Sequence, residues 1–372
     1  MEQVYGEKKD CCGCSACVES CPKNAIVMKA DREGFLYPEI DKNLCIDCKI
    51  CKKVCPMINA KELKNYEKNS FYLAKHKDKN VLKHSTSGGA FTAISDYILK
   101  KKGVICGVDF DEKFCVTHKM AETSEERDKF RFSKYVQSNL KDIFQDIKKE
   151  LIAGKKVLFT GTPCQCAGLK GFMRGSSLAK ELYICDLICH SIPSPRIWEE
   201  FKKLLEKENG GVIREIQFRT KDMPWSRANS NKTFFFATTE MEKLKLDERF
   251  YKMFFGLGTI TRPSCSRCPF TDKNRVSDIT IADYFGIEEY SPELYDELGL
   301  SLIIVNSKKG EEILENIKDD LYLEKRDPAE SLKHQQRLSK PMPIPDNREE
   351  FWLELDNIGL EKVLEKYGVL KN

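Results

Sequence analysis

The chain has 372 residues, which is the length of two or three ordinary domains. Its 62 Lys and Arg nearly balance its 58 Asp and Glu, and no basic stripe with interleaved aromatics is present, so nucleic acid is not an expected partner. No apolar run approaches the ~20 residues of a membrane span. The N-terminus lacks the regions of a signal peptide, so a cytoplasmic location is expected.

Seventeen cysteines are the unusual feature of the composition. A disulfide framework is typical of short secreted domains, and this chain is expected to be neither short nor secreted. Regularly spaced thiols in a reducing compartment indicate metal ligation instead. The spacing of the cysteines is therefore the first guide to the chemistry.

Two cysteine runs of identical spacing, Cys-x2-Cys-x2-Cys-x3-Cys-Pro, open the chain. This is the ligand run of bacterial two-cluster ferredoxins, in which the fourth cysteine of each run ligates the cluster of the other run. The spacing therefore predicts two [4Fe–4S] clusters. The first is assigned to Cys11, Cys14, Cys17 and Cys55, and the second to Cys45, Cys48, Cys51 and Cys21.

Zinc is the alternative metal for closely spaced cysteines, because two CxxC pairs can hold one tetrahedral ion. Zinc requires neither a third cysteine at the same step nor a proline after the fourth, so two complete runs favour clusters. Between the runs, 26–28 and 35–37 are strand-like stretches that predict a hairpin. Cys12 has no role in this pattern.

Helix and strand patterns alternate along the rest of the chain. Gly103 and Gly154 are placed to end the first two helices, and Ser194-Pro195 is placed to begin the third. These features predict the α+β class, with an N-terminal bacterial-type ferredoxin-like domain followed by a mixed α/β body. Expected helices cover 90–102, 140–151, 196–207, a short segment after Asp327, and 347–366. Expected strands cover 104–108, 157–159, 182–189, 212–219, 233–239, 278–284 and 301–306.

Four segments of the body carry residues suited to chemistry. The small-residue loop 85–90 opens a helix, where backbone amides can approach an anion. Segment 159–166 follows an expected strand, at the edge where open α/β sheets bind ligands. Cys185 and Cys189 are expected on one face of a strand. Cys265 and Cys268 form half of a metal site. Spacing does not choose which thiols complete it among Cys164, Cys166, Cys185 and Cys189.

With these segments taken together, the body resembles the β-subunit family of coenzyme F420 hydrogenases and dehydrogenases, which are iron–sulfur flavoproteins. The resemblance covers residues 80–320 and rests on six motifs. They are Thr86-Ser87-Gly88-Gly89, Lys134-Tyr135-Val136-Gln137-Ser138, Gly161-Thr162-Pro163-Cys164-Gln165, Ile188-Cys189-His190, the run from Arg262 to Cys268, and the run from Arg275 to Asp283.

The resemblance implies FAD in the body and a third [4Fe–4S] cluster. Carried over residue by residue, it assigns the cluster to Cys164, Cys189, Cys265 and Cys268. It leaves Cys106, Cys115, Cys166 and Cys185 as small buried side chains. The implied flavin contacts are Ser87, Gly88, Gly89, Lys134, Tyr135, Ser138, Gly161 and Thr162.

No catalytic residue follows from the sequence, and several positions keep two interpretations. Asp283 could face the flavin or cap a strand end. His190 could donate a proton or be a hydrogen-bonded core histidine. Arg219, Lys221 and Trp225 could border a substrate pocket or belong to a solvated loop.

The expected domains are a ferredoxin module at 1–60, a linker at 61–80, two parts of a flavin-binding body at 81–163 and 164–345, and a C-terminal helix at 346–372. The second part of the body would carry the third cluster.

The resemblance implies an oxidoreductase that passes electrons between ferredoxin, or another electron-transfer protein, and an organic hydride donor or acceptor such as deazaflavin F420. FAD and the clusters would carry the electrons. A ferredoxin-dependent reductase of another organic double bond or ring is an alternative, as is a relay subunit without its own substrate. A homo- or hetero-oligomer is compatible with each interpretation.

Overall fold

A computed structural model describes residues 3–230 and 234–370. The N-terminal domain is built on an antiparallel hairpin in which Ile26 pairs with Ile40 and Met28 with Pro38. Asp31 and Gly34, at φ +80°, form the turn, as the sequence predicts. The elements of this domain are α1 (Ala16–Glu19), β1 (Ile26–Ala30), β2 (Leu36–Ile40), α2 (Ile50–Lys53) and α3 (Ala60–Leu63).

The body contains two sheets. Its strands in the described part of the chain are β3 (Ser70–His76), β4 (Val104–Phe110), β5 (Val116–Ala121), β6 (Val157–Gly161), β7 (Leu182–Leu187), β8 (Ile213–Gln217), β9 (Phe234–Thr238), β10 (Lys245–Asp247), β11 (Ile279–Asp283), β12 (Ser301–Val305) and β13 (Leu321–Arg326).

The larger sheet has the order β13-β3-β12-β11-β7-β6-β4-β5. Its centre is parallel, since β4, β6, β7 and β11 run in one direction, and the remaining strands pair antiparallel. The smaller sheet has the antiparallel order β10-β9-β8. The expected mixed α/β body is thus confirmed. Residue 233 of the expected 233–239 strand lies outside the described residues.

Helices cover the two faces and the ends of these sheets. They are α4 (Lys79–Lys83), α5 (Ala90–Lys100), α6 (Ser124–Asp128), α7 (Ile143–Ile152), α8 (Pro163–Phe172), α9 (Pro195–Asn209), α10 (Arg227–Ser230), α11 (Arg249–Tyr251), α12 (Lys308–Ile317), α13 (Pro328–Lys333), α14 (Arg348–Ile358) and α15 (Leu360–Lys366). A π-helix, Lys252–Leu257, follows α11.

Alternation along the central strands separates two apolar layers. Ile105 and Leu158 pack with Ile94 of α5 on one face, whereas Cys106 and Phe159 pack with Phe144 of α7 on the other. A third apolar layer, rich in aromatics, joins the smaller sheet to α9, α14 and α15. The parallel centre of the sheet therefore has helices on both sides, and the carboxyl ends of β6 and β7 meet at one edge.

Two expectations differ from the structure. The segment 61–80, expected as a linker, contains β3, which lies inside the large sheet between β12 and β13. Its pairing partners are more than 200 residues away in sequence, so no local pattern indicated them. The single helix expected at 347–366 is two helices, because Gly359 adopts φ +79° and ends α14.

Candidate iron–sulfur and cofactor sites

The cysteines of the two N-terminal runs line two separate cavities. The first cavity is lined by Cys11, Cys14, Cys17 and Cys55, together with Cys12. The second is lined by Cys21, Cys45, Cys48 and Cys51. Their empty spaces, measured out to solvent, are nearly equal at about 340 and 350 Å³, as two copies of one cofactor would need. Each cavity takes its fourth thiol from the other run.

The two runs fold alike, with an offset of 34 positions between Cys11 and Cys45. Gly13 and Asp47 occupy equivalent positions, and both have positive φ, +70° and +52°. Ser15 and Lys49 are likewise equivalent, at φ +60° and +61°, and each immediately precedes a short helix, α1 or α2. These left-handed turns curl the chain so that three thiols face one cavity.

Four cysteines of the body form a third group. Cys164 is in the first turn of α8 after β6, Cys189 follows β7, and Cys265 and Cys268 flank a 3-10 turn. The pKa of the Cys265 thiol is raised well above its usual range, first by burial and then by the nearby Cys189, Cys268 and Cys164. Burial and proximity to Cys164 likewise raise the pKa of Cys189 to about 12 and of Cys268 to about 11.

The thiols of the third group are close to one another, although they come from three loops at one edge of the sheet. Throughout 3–230 and 234–370, no three His, Cys, Asp or Glu side chains are grouped tightly enough to hold a single metal ion. The roles of Cys164, Cys189, Cys265 and Cys268 as ligands of a third cluster stay a prediction.

Cys185 and Cys189 do not share a strand face, contrary to expectation, because β7 ends at Leu187. Cys185 points into the apolar layer under α5, and Cys189 turns away toward Cys164. Cys106 and Cys166 are also buried in apolar layers. Cys115 differs from the expected buried thiol, because it is half-buried and donates to Glu199 at 3.3 Å.

Cys12 lies between the first cavity and the third group of thiols. Its thiol is in hydrogen-bond contact with both Cys14 and Cys164, and its side chain is 6% exposed. The sequence gives no sign of this contact, because Cys164 is 152 positions away. Of the two N-terminal cavities, the first is therefore the one that adjoins the body thiols.

Arg262 reinforces the same junction. The guanidinium donates to the Cys11 carbonyl at 2.9 Å, the Leu36 carbonyl at 2.9 Å and Gln137 Oε1 at 2.8 Å, and it lies 4.4 Å above the Tyr37 ring. Its Nη2 is also 3.8 Å from Cys11 Sγ. The side chain is 1% exposed, so a full positive charge is buried beside the first cavity.

Helix α8 carries Cys164 and packs directly on the N-terminal domain. A Cβ atom at Gly168 would be 2.8 Å from Cys14 Cβ, and one at Gly171 would overlap the Val54 carbonyl. Side chains at these two positions would hold the helix away from the domain. The two glycines therefore allow Cys14 and Cys164 to approach each other.

The loop before α5 is held against the sheet. Ser87 Oγ donates to the Leu300 carbonyl at 2.5 Å, and the Gly88 amide donates to Ser301 Oγ at 3.0 Å. A Cβ atom at Gly88 would be 2.5 Å from the Ala74 carbonyl, which explains the glycine by packing. Gly89 adopts φ +83° and precedes the helix. The roles of these residues as flavin contacts stay a prediction.

The other expected flavin contacts fall into two groups. Tyr135 packs edge-on against Phe218 and Tyr251 in the aromatic layer. Ser138 and Thr162 are joined through Gln165, which donates to Ser138 Oγ and accepts from Thr162 Oγ1, each at 2.9 Å. Thr162 Oγ1 is also 3.2 Å from Cys164 Sγ, and Gly161 ends β6 beside it.

Lys134 is an ammonium group held by carbonyl oxygens. It donates to Lys129 at 2.7 Å and to Arg131 at 2.9 Å, and burial lowers its pKa to about 7. Lys221 is similar, because it donates to the carbonyls of Ser87 and Leu298, while burial and the nearby Arg219 lower its pKa to about 8. Neither ammonium group has a carboxylate within ion-pair distance among the described residues.

Asp283 is at the end of β11 and connects several predicted site residues. It accepts from Arg219 at 2.7 Å and from Trp225 Nε1 at 2.8 Å, and it is in hydrogen-bond contact with Ser87. Burial alone would raise the pKa of Asp283, but Arg219 holds it below its usual value. The loop of Arg219 and Trp225 is thus buried, not solvated. Only the coincidence of these types near a strand end hinted at this ion pair.

His190 lies beside this ion pair and next to Cys189. Its ring contacts Phe255 edge-on with centroids 6.2 Å apart, and part of its surface is open to solvent. The surrounding protein and then Arg337 lower the pKa of His190, so the ring is neutral at pH 7. The described residues offer it no hydrogen-bond partner, so the expectation of a hydrogen-bonded core histidine is wrong.

Comparison with known families gives two matches. A model for the C terminus of the beta subunit of coenzyme F420 hydrogenase/dehydrogenase matches residues 154–331. A "4Fe-4S dicluster domain" model matches residues 10–59. A dicluster domain joined to a mixed α/β body defines an iron–sulfur protein. The chain belongs to the coenzyme F420 hydrogenase/dehydrogenase β-subunit family, with a 4Fe–4S dicluster domain at its N-terminus.

Individual relatives agree with this membership. The F subunit of the F(420)H(2) dehydrogenase of Methanosarcina mazei is 24% identical over 211 residues, which are 52% of this chain and 58% of the relative. An uncharacterized ferredoxin of Methanocaldococcus jannaschii is 32% identical over 54 residues, 14% of this chain and 69% of the ferredoxin. The chain thus spans somewhat more than half the length of the first relative.

A solved structure shows the same fold. A chain in the F420-reducing [NiFe] hydrogenase complex of Methanosarcina barkeri superposes with a TM-score of 0.50 at 17% identity, over 80% of this chain and 94% of that one. Within the described residues, no helix is both long and apolar enough to cross a membrane.

Proposed function

We propose that this chain is an electron-transfer flavoprotein that passes electrons between a one-electron carrier protein and a deazaflavin of the F420 type. In this proposal, residues 1–60 hold two [4Fe–4S] clusters, the body holds a third, and FAD binds at the carboxyl edge of the large sheet. The observation that carries the proposal is the junction at Cys12, where the first N-terminal cavity adjoins the body thiols.

The donor sets fit iron–sulfur clusters. Each N-terminal cavity is lined by four thiols and by apolar side chains, which is the environment of a cubane cluster. The body thiols are also four in number and mutually close. In this proposal Cys11, Cys14, Cys17 and Cys55 hold one cluster, Cys21, Cys45, Cys48 and Cys51 a second, and Cys164, Cys189, Cys265 and Cys268 the third.

Buried charge supports an anionic cofactor in the body. An ammonium group away from water is costly unless an anion faces it. Lys134 and Lys221 each have only carbonyl partners, so both have donors to spare for the diphosphate of FAD. The amino end of α5, beside Ser87 and Gly89, favours negative charge in the same region.

The residues around the proposed flavin site have separate tasks. Bound FAD would supply the exchange between hydride and single electrons that clusters cannot perform. The Arg219–Asp283 ion pair fixes the floor of the site, since Trp225 and Ser87 are tied to it. His190, neutral and partly accessible, can accept or return a proton beside Cys189.

The relatives support the choice of organic substrate. The Methanosarcina mazei relative is named for F(420)H(2), and the matching family model is described by coenzyme F420. The substrate is therefore proposed to be the 5-deazaflavin, which gives up or takes on one hydride. Oxidation of one reduced deazaflavin releases two electrons and one proton, and two molecules of a one-electron acceptor balance it.

The proposal is tested on protein purified without oxygen. Iron and flavin are measured per chain, with about 12 iron atoms expected for three clusters. Reduced F420 is then mixed with the protein and a one-electron acceptor, and the return of deazaflavin absorbance is followed. Protein that binds no flavin, or that leaves reduced F420 unchanged, would contradict the proposal. Turnover of another organic substrate instead would identify a different reductase.

A further inference from the structure

The two cysteine runs present their equivalent positions to different surroundings. Cys12 follows the first cysteine of its run, is buried, and contacts Cys164 of the body. Its equivalent, Ile46, follows Cys45 and is 59% exposed. If the first of these positions adjoins the next group of thiols inside the protein, the second points to where the chain continues outward. The surface around Ile46 is therefore the outer face of the second cavity.

This outer face has an apolar centre. Leu44 is 51% exposed and Ile46 is 59% exposed, and Cys48 between them and α2 is the exposed thiol of the second cavity. Large aliphatic side chains seldom cluster in water next to a cofactor cavity without a partner. An apolar centre is the usual core of a protein–protein contact.

Lysines surround this apolar centre. Lys23 and Lys49 line the second cavity, and Lys52 and Lys53 lie on the adjoining α2. All four are exposed, and none forms an ion pair with any residue the structure describes. Segments 23 and 41–53 contain five lysines against two aspartates, Asp41 and Asp47, so the net charge is positive.

We infer that this surface, defined by Leu44, Ile46, Lys23, Lys49, Lys52 and Lys53, docks an acidic one-electron carrier protein. The inference rests on the proposed function. The lysines steer the acidic partner and the apolar centre holds it. One electron crosses per encounter, so the carrier is reduced or oxidised by one electron while the chain changes by the same electron, and no bond is made or broken.

Association rates test the charge argument with two probes of opposite sign, a small acidic ferredoxin and a basic c-type cytochrome. The wild-type chain should bind the ferredoxin at least tenfold more slowly when salt is raised from about 0.05 to about 0.5 M. Its reaction with the cytochrome should be slow at low salt and accelerate as salt is added. Rates that respond to salt in the same direction for both probes would overturn the inference.

Charge reversal locates the surface. Lys23→Glu combined with Lys49→Glu should slow ferredoxin binding at least tenfold at low salt and speed the cytochrome reaction. A matched control, Lys308→Glu combined with Lys362→Glu, changes two exposed lysines outside the N-terminal domain and should leave both rates near wild type. Misfolding cannot produce opposite shifts for two probes. Equal rates in the two double variants would contradict this docking surface.

The apolar centre has its own readout. Ile46→Ser should increase ferredoxin dissociation severalfold while leaving the association rate nearly unchanged, because short-range contacts act on dissociation. An unchanged dissociation rate would remove Ile46 from the surface. None of these measurements uses deazaflavin. Failure to oxidise reduced F420 would therefore count against the proposed function, and loss of charge steering would count against this surface.

Discussion

The Arg262 guanidinium donates to the Cys11 carbonyl at 2.9 Å and lies 3.8 Å from the Cys11 thiol. It is fully buried, and no carboxylate among the described residues neutralises it. A fixed positive charge at this distance stabilises whichever state of the neighbouring site is more negative. In a cluster held by Cys11, that is the reduced state.

Arg262→Met is therefore expected to lower the reduction potential of the first cluster, because the buried charge is lost. A tenfold change in the equilibrium, about 59 mV for one electron, is the expected minimum. Potentiometry followed by electron paramagnetic resonance measures it. Arg262→Lys keeps the charge and should recover most of the potential, and Arg267→Met, at an exposed arginine, is the control. Equal potentials in Arg262→Met and wild type would show that the charge does not act on the cluster.

Cys265→Ser tests the third group of thiols. The variant should lose about four of about 12 iron atoms per chain, since one ligand of four is removed and the N-terminal cavities are untouched. Cys185→Ser is the matched control, because this thiol is equally buried but points into the apolar layer under α5. It should keep its iron. If Cys265→Ser keeps a full complement, the body thiols do not hold a cluster.

Local spacing made the N-terminal sites predictable, because each run supplies three thiols within seven residues and the chain only has to curl. The body thiols were harder. Cys164 and Cys189 meet because β6 and β7 are parallel neighbours that end at one edge, which the pattern of strands suggested. Whether Cys185 or Cys189 takes part depends on β7 ending at Leu187, and no residue type marks that end.

Contacts between distant segments were beyond the sequence. Cys12 appeared idle until the glycine face of α8 brought Cys164 against it. Similarly, β3 was taken for a linker because its partners, β12 and β13, come at the other end of the chain. The ion pair between Arg219 and Asp283 joins a loop to a strand end 64 positions away. In each case the missing information was tertiary packing.

Lys134 gives flavin binding a pH dependence with a defined sign. Its pKa in the free protein is about 7, so above that pH the amine is neutral. Contact with a diphosphate raises the pKa, so binding takes up a proton above pH 7 and needs none below it. FAD affinity should therefore be full at about pH 6.5 and more than tenfold weaker at about pH 8.5.

Fluorescence quenching of FAD by the flavin-free protein measures this affinity. Lys134→Met should bind FAD weakly at both pH values and lose the dependence. Lys129→Met, in which a neighbouring exposed lysine contributes only its backbone carbonyl to the contact with Lys134, should keep it. An affinity of the wild type that does not change with pH would separate Lys134 from the cofactor.

Gly168 lets the N-terminal domain touch the body. Gly168→Ala places a methyl group 2.8 Å from Cys14 Cβ and 2.9 Å from its sulfur, so α8 and α1 must separate. Overpacking of this kind costs about 1–3 kcal/mol, which lowers the melting temperature by a few degrees in a chain of this size. Because the separation also opens the contact between Cys12 and Cys164, electron exchange between the N-terminal domain and the body should slow. Gly256→Ala is the control, since its Cβ would meet no atom within 4 Å. Differential scanning calorimetry and rapid-mixing absorbance measure the two effects, and a Gly168→Ala variant as stable and as fast as Gly256→Ala would contradict the close approach.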